Sequence, residues 1–128
     1  MTMKEAVTSV FNNYANFDGR ARRSEYWYFC LFNILVSLGF GVLLSLADEG
    51  GALYRIVMGL NGLYELSVFI PGLAVAWRRL HDIGKSGANW FWVFLPLVGA
   101  ILLLVWYCRE GDAGANQYGE DPKEEYRY

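Results

Sequence analysis

The chain has little charge, little histidine and little cysteine for its length. Only 19% of its 128 residues are charged, and it contains one histidine and two cysteines. Clusters of Cys, His and carboxylate side chains at short spacing hold most protein metal ions, so a lone His81 and the distant Cys30 and Cys108 argue against a metal site. We expect no metal and no cofactor, and no residue pattern identifies a catalytic centre.

Charge is missing above all from three long stretches. Residues 26–47 and 88–108 contain no charged side chain, and residues 56–77 contain only Glu65. At a rise of about 1.5 Å per residue, each stretch forms a helix that spans the roughly 30 Å hydrocarbon layer of a bilayer. The sequence therefore predicts an all-α integral membrane protein with three transmembrane helices, in a single domain that covers residues 1–122.

A soluble core and a secretory signal both fit the apolar stretches less well than membrane spans do. A chain of this size cannot surround three all-apolar helices with polar neighbours, which argues against a soluble core. Arg20, Arg22 and Arg23 precede an apolar run that ends at Ala47, which suggests a cleaved secretory signal. That run is too long for a typical signal, however, and its polar lead-in is unusually extended.

The net charge of −2 hides an uneven distribution of basic residues. With three spans, seven basic residues share the face that carries the N-terminus and the turn at 78–87, and four lie on the opposite face. Because lysine and arginine near spans are retained in the cytoplasm, the N-terminus and this turn are predicted to be cytoplasmic. The C-terminus is then predicted to be periplasmic or external.

Apolar side chains recur at helical spacing near the N-terminus. They are Met3, Val7, Val10, Phe11, Tyr14 and Phe17, and the residues between them are mostly polar. This pattern predicts an amphipathic helix over about 3–16. The helix either lies in the membrane interface or packs on the protein's own spans.

The second apolar stretch contains residues that a lipid-exposed helix rarely has. Its small residues allow close helix contact, and Pro71 removes a backbone hydrogen bond and is expected to kink the helix. We therefore place this helix centrally, between the other two or in an oligomer interface. Glu65 lies near mid-membrane, either as a functional acid or as an acid hydrogen-bonded to Asn33, Asn61 or Tyr64.

A polar turn at 78–87 joins the second and third stretches. His81 and Asp82 are adjacent there, and adjacent residues on a helix point about 100° apart, so neither naturally orients the other for acid–base chemistry. Together with a basic and aromatic lead-in at 19–27, this turn is expected to contact anionic headgroups or a partner protein. The predicted contact residues are Arg20, Arg22, Arg23, Tyr26, Trp27, Arg78, Arg79, His81, Asp82 and Lys85.

Three motifs follow one another along the chain. The first is Phe17-x-Gly19-Arg20-x-Arg22-Arg23 with Tyr26-Trp27. The second is Arg78-Arg79-Leu80-His81-Asp82 with Gly84 and Ser86-Gly87, and with Pro96 and Gly99 downstream. The third is Gly111-x-x-Gly114-x-Asn116-x-Tyr118-Gly119-x-Asp121-Pro122. This ordered set resembles a family of small bacterial inner-membrane proteins known as domain of unknown function 805.

The resemblance implies an inner-membrane location, several helices and no established activity. It adds a tail motif as a candidate site, with Asn116, Tyr118, Gly119, Asp121 and Pro122. The residues after it, 123–128, are predicted to be disordered. Three spans would put the tail motif across the membrane from the two basic motifs, so the three could not form one site. A tail that folds back would instead require a lost or re-entrant span.

These features favour a small membrane protein that acts by binding and has no enzymatic activity. Its expected partners are anionic lipid headgroups, a membrane-protein complex or further copies of the chain, and no nucleic acid. The alternative is a transporter or channel protomer that uses Glu65 and the kink at Pro71. A third hypothesis is an enzyme that acts on lipid headgroups through His81, Asp82 and Ser86.

Overall fold

The computed structural model of the protein describes residues 1–123; residues 124–128, which hold most of the predicted disordered end, lie outside the described residues. The described chain forms no strand, apart from an isolated bridge between Asn116 and Gly119. The predicted all-α fold class is confirmed for this part of the chain. Its elements are α1 (Met3–Asn12), α2 (Arg23–Leu46), α3 (Ala52–Asp82), a 3₁₀ helix (Gly87–Phe94) and α4 (Val98–Cys108).

Helix α1 begins with a capping box. The Thr2 hydroxyl accepts a hydrogen bond from the Glu5 backbone amide at 3.2 Å, and the Glu5 carboxylate accepts from the Thr2 amide at 3.4 Å. Hydrogen bonds from Thr2 lower the pKa of Glu5 below its usual value. Phe11 meets Phe29 of α2 with ring centroids 5.9 Å apart. Helix α1 therefore packs on the protein's own span, and it ends at Asn12 rather than near residue 16.

Helices α2 and α3 are the two long apolar helices of the chain. With 24 and 31 residues, they are about 36 and 46 Å long, so each is long enough to cross a bilayer. Their outward faces are apolar, with 62% of Leu38 and 74% of Leu66 exposed, which suits contact with lipid. Helix α3 continues through Pro71 and contacts all four other elements, in agreement with its predicted central position.

The third apolar stretch is not a single spanning helix. It divides into the 3₁₀ helix, a turn at 95–97 and the 11-residue α4. Each of these two arms is about 16 Å long, which is close to half the thickness of a bilayer's hydrocarbon layer. The prediction of three transmembrane helices is therefore not met, because two helices are long enough to span and the third stretch folds as a hairpin.

The hairpin reverses at Leu97, whose φ is +64°. The Val98 amide donates to the Pro96 carbonyl at 2.7 Å, which closes a strained γ-turn around Leu97. Gly99 then lies against the opposite arm, where an added Cβ would overlap the carbonyl oxygen of Trp92. Local backbone geometry thus breaks the stretch, and such geometry is not visible in a run of apolar residues.

The second arm of the hairpin brings the chain back to the start of α2. Trp27 Nε1 donates to the Tyr107 carbonyl at 2.9 Å. The tail that follows α4 then reaches the end of α3, where the Asp112 amide donates to the Asp82 carbonyl at 2.7 Å. The prediction that the tail lies across the membrane from the basic motifs is therefore wrong, because direct hydrogen bonds join the tail to both of them.

Candidate functional site

Asp82 is the centre of a buried ion cluster at the end of α3. Its carboxylate lies 3.0 Å from the Arg20 guanidinium and 2.8 Å from that of Arg79, and no side chain of the three is more than 1% exposed. Arg79 precedes Asp82 by one helical turn, whereas Arg20 comes from the loop before α2. Two cations around one carboxylate need further hydrogen-bond acceptors when they are removed from water.

The backbone of the tail supplies these acceptors. Arg20 donates to the carbonyl groups of Asp112 and Gly114, each at 2.6 Å. Arg79 donates to the Arg109 carbonyl. The tail is therefore bound to the ion cluster through its carbonyl groups, in an arrangement that sequence spacing alone does not indicate.

His81 takes part in the same assembly but does not pair with Asp82. Its ring stacks on Tyr118, with centroids 4.0 Å apart and planes 1° from parallel. Its Nδ1 lies 2.8 Å from the Gly19 carbonyl, and its own carbonyl accepts from the Asn116 side-chain amide at 2.9 Å. His81 therefore positions the tail. The described residues contain no group of His, Cys, Asp or Glu arranged to hold a metal ion.

Close approach and turns explain the glycines of the tail motif. An added Cβ at Gly111 would overlap the central carboxylate of the cluster. Gly114 and Gly119 have φ of +73° and +137°, which non-glycine residues rarely adopt. Asp121 is 6% exposed and accepts from the Gly114 amide at 2.9 Å, and Pro122 follows in a half-buried position.

All three sequence motifs thus meet in one site, which corrects the expectation that they could not. We call it the docked-tail site. It forms because the hairpin brings the chain back to the end of α3 after which the hairpin begins. Its members are Arg20, Arg79, His81, Asp82, Gly111, Asn116 and Tyr118.

Burial removes several residues from the predicted lipid-contact set. Four of them belong to the docked-tail site and are bonded within it: Arg20, Arg79, His81 and Asp82. Arg78 is 3% exposed, lies 3.2 Å from Glu25 and donates to the Asn16 carbonyl at 3.0 Å. These placements contradict a role for the five residues in lipid contact. Sequence reasoning missed Glu25, whose one signal is that it is the only acid in the lead-in at 19–27.

The remaining predicted contact residues lie nearer the surface. Tyr26 stacks on Tyr107 with centroids 4.3 Å apart, and the Lys85 ammonium lies 4.6 Å from the centre of the Trp106 ring. The other three line an open groove of about 690 Å³ between the start of α2 and the end of α4. We call it the interfacial groove; its lining residues are Met1, Arg22, Arg23, Ser24, Trp27, Tyr28, Leu31, Cys108 and Lys123.

Among residues 1–123, basic side chains outnumber acidic ones at this groove. Arg23 and Lys123 both contact Glu110, at 3.0 and 2.6 Å, and Arg22 adds a third cation. Arg23 and Glu110 are 44% and 43% exposed in their side chains. An ion pair with this exposure is weak, at about 0–1 kcal/mol, so Glu110 holds Arg23 only loosely.

Glu65 lies apart from the docked-tail site, in the apolar part of α3. It is exposed at the edge of a cleft between α2 and α3. The predicted partners Tyr64 and Asn33 instead bond to each other, with the Tyr64 hydroxyl 2.7 Å from the Asn33 side-chain oxygen. Within residues 1–123, Glu65 therefore sits on an open lateral surface rather than in an enclosed path across the protein.

Comparison with known proteins identifies relatives of the chain. The family described as "Protein of unknown function (DUF805)" matches residues 14–120. Inner membrane protein YhaI of Escherichia coli (strain K12) is 43% identical over 120 residues, which cover 90% of this chain and 92% of that protein. Inner membrane protein YhaH of the same strain is 42% identical over 118 residues, which cover 89% and 93%. No solved structure matches the chain at a significant level. The chain therefore belongs to the DUF805 family of membrane proteins of unknown function.

Proposed function

We propose that the chain is a non-enzymatic binding protein of the bacterial inner membrane that holds an anionic phospholipid headgroup in its interfacial groove. The observation that carries this proposal is the order of groove residues along α2. Arg23, Trp27 and Leu31 follow at intervals of four residues, so they occupy one helix face in steps of about 6 Å. In this order, the cation can contact a lipid phosphate, the aromatic ring lies at the level of the membrane interface, and the apolar side chain lies beside an acyl chain.

The distribution of basic residues supports a cytoplasmic position for the groove. With the tail docked beside the polar turn, nine of the ten basic residues in the described part belong to the face that carries the N-terminus, and only Arg55 lies near the opposite loop. This bias is stronger than the seven-to-three division that three spans would give for the same ten residues. We infer that both the N-terminus and the docked tail face the cytoplasm.

The placement of the polar side chains favours binding over catalysis. The headgroup-enzyme hypothesis relies on His81, Asp82 and Ser86. His81 and Asp82 are buried in the docked-tail site, and the Ser86 hydroxyl accepts a hydrogen bond from the Ala88 amide at the start of the 3₁₀ helix. These contacts support structural roles for all three.

Lipid retention during purification tests the proposal. The protein is extracted from liposomes of phosphatidylglycerol mixed with phosphatidylcholine, and bound lipid is counted by native mass spectrometry. We expect phosphatidylglycerol to be retained preferentially. Arg23→Ala combined with Lys123→Ala should lower that retention about tenfold, because two of the three groove cations are removed.

Arg55→Ala is the matched control, because it removes one exposed cation at the opposite end of the helices. It should retain phosphatidylglycerol as the unchanged protein does. Equal retention of the two lipids by the unchanged protein, or an equal loss in the groove and control variants, would contradict the proposal.

A further inference from the structure

Two polar side chains in the apolar part of α3 have no hydrogen-bond partner among residues 1–123. Asn61 and Glu65 are four residues apart, so they lie one turn apart on the same helix face. Glu65 is exposed and Asn61 is partly exposed. Neither side chain forms a hydrogen bond or an ion pair in the described part of the chain. In hydrocarbon, unpaired polar groups of this kind are costly, so an occupant of this face must offer them partners.

The two groups are complementary to each other. The amide of Asn61 offers N–H donors, and the carboxyl group of Glu65 offers acceptor oxygens. A different protein would have to carry a matching donor and acceptor at the same depth in the bilayer. A second copy of this chain has both groups. A two-fold axis along the membrane normal sets the two Asn61 residues at one depth and the two Glu65 residues one turn, about 6 Å, further along. Because helical side chains lean toward the N-terminus of their helix, each Glu65 carboxyl group can reach back to the Asn61 amide of the other copy.

The surroundings of this pair leave room for another helix. Gly62 lies between Asn61 and Glu65 along the chain, and an added Cβ there would find no atom within 4 Å. Met58 and Phe69 border the pair on the same face and are 52% and 60% exposed. A small residue beside larger exposed ones allows helices to approach closely in a membrane.

We propose that the chain forms a homodimer through this face of α3, with the Asn61 amide of each copy donating to the Glu65 carboxyl group of the other. The dimer face is Met58, Asn61, Gly62, Glu65 and Phe69. It lies within the apolar part of α3, away from the interfacial groove, so the dimer does not depend on lipid binding there.

Cysteine cross-linking in native membranes tests the dimer. Cys30 and Cys108 are first replaced by alanine, and then Met58→Cys or Phe69→Cys is introduced on the dimer face. The matched control is Leu63→Cys, which is 63% exposed, at similar depth, and about 160° around the helix from Glu65. Oxidation with copper phenanthroline should give at least tenfold more disulfide-linked dimer at a face position than at Leu63.

Substitution of the two polar groups tests the contact itself. In the Met58→Cys and Phe69→Cys backgrounds, Glu65→Leu and Asn61→Leu should each lower the dimer yield several-fold, whereas Glu65→Gln should keep it because an amide still accepts the bond. The dimer is overturned by cross-linking that is absent from the face positions or equal at Leu63. It is also overturned if Glu65→Leu leaves the yield unchanged or raises it.

Discussion

Arg20 Nη2 lies 3.0 Å from Asp82 Oδ1, although the two residues are 62 positions apart, and each side chain is only 1% exposed. This contact joins the loop before α2 to the end of α3. Because Arg20 also donates to carbonyl groups of the tail, the same guanidinium holds together all three motifs. The stability of this end of the molecule should therefore depend on the charge of Asp82.

Removal of the central carboxylate should destabilise the protein strongly. Asp82→Ala leaves the guanidinium groups of Arg20 and Arg79 buried without their counter-charge, and the loss of one partner of a buried ion pair typically costs about 3–5 kcal/mol. The free energy of unfolding, measured by titration with a denaturing detergent, should fall by about that amount. Glu110→Ala removes an acid that is 43% exposed from the tail, together with its two weak ion pairs, and should cost at most about 2 kcal/mol. Equal losses in the two variants would refute a special role for the buried cluster.

The aromatic contact between Tyr118 and His81 should hold the tail closed. Tyr118→Ala removes a stacked ring, and such ring pairs contribute about 0.5–1.5 kcal/mol. Amide hydrogen exchange in the tail, read at Asp112, should then speed up by about 2–10-fold. Tyr118→Phe keeps the ring and should exchange like the unchanged protein. If the phenylalanine variant opens as much as the alanine variant, the stacking is not what holds the tail.

The half-depth hairpin should tolerate no side chain at Gly99. Gly99→Ala places a methyl group on the Trp92 carbonyl oxygen, so the two arms must separate. We expect a loss of about 1–3 kcal/mol in the free energy of unfolding. Gly39→Ala in α2 is the control, because its added Cβ meets no atom within 4 Å. A stable Gly99→Ala protein with unchanged hydrogen exchange in α4 would contradict the hairpin.

Hydropathy was sufficient to predict the two long helices and insufficient for the third apolar stretch. In α2 and α3 the apolar runs are continuous, and the helix repeats one geometry throughout. In 88–108 the outcome depends on Pro96, on the backbone of Leu97 and on the contact of Gly99 with the opposite arm. These are local conformational features, so apolar composition and spanning length alone predict a single helix where the chain forms a hairpin.

The residues of the site were largely visible in the sequence, but their relationship was not. Arg20, Asp82 and Tyr118 belong to the three motifs that identify the family. Their convergence follows only from the return of the chain at Leu97, which also buries Arg20 and Arg79 against the tail. A sequence shows that charges cluster, whereas only the fold shows that the Asp82 carboxylate and the tail carbonyls accept hydrogen bonds from Arg20 and Arg79.

The side of the membrane on which the tail lies tests the account most directly. In a variant with Cys30→Ala and Cys108→Ala, single exposed cysteines are introduced at Lys4, Glu49 or Ala115 and labelled with a membrane-impermeant maleimide in right-side-out and inside-out vesicles. We predict that Ala115→Cys labels from the same side as Lys4→Cys and from the side opposite to Glu49→Cys. If Ala115→Cys labels together with Glu49→Cys, the third stretch crosses the bilayer and the docked-tail site does not exist.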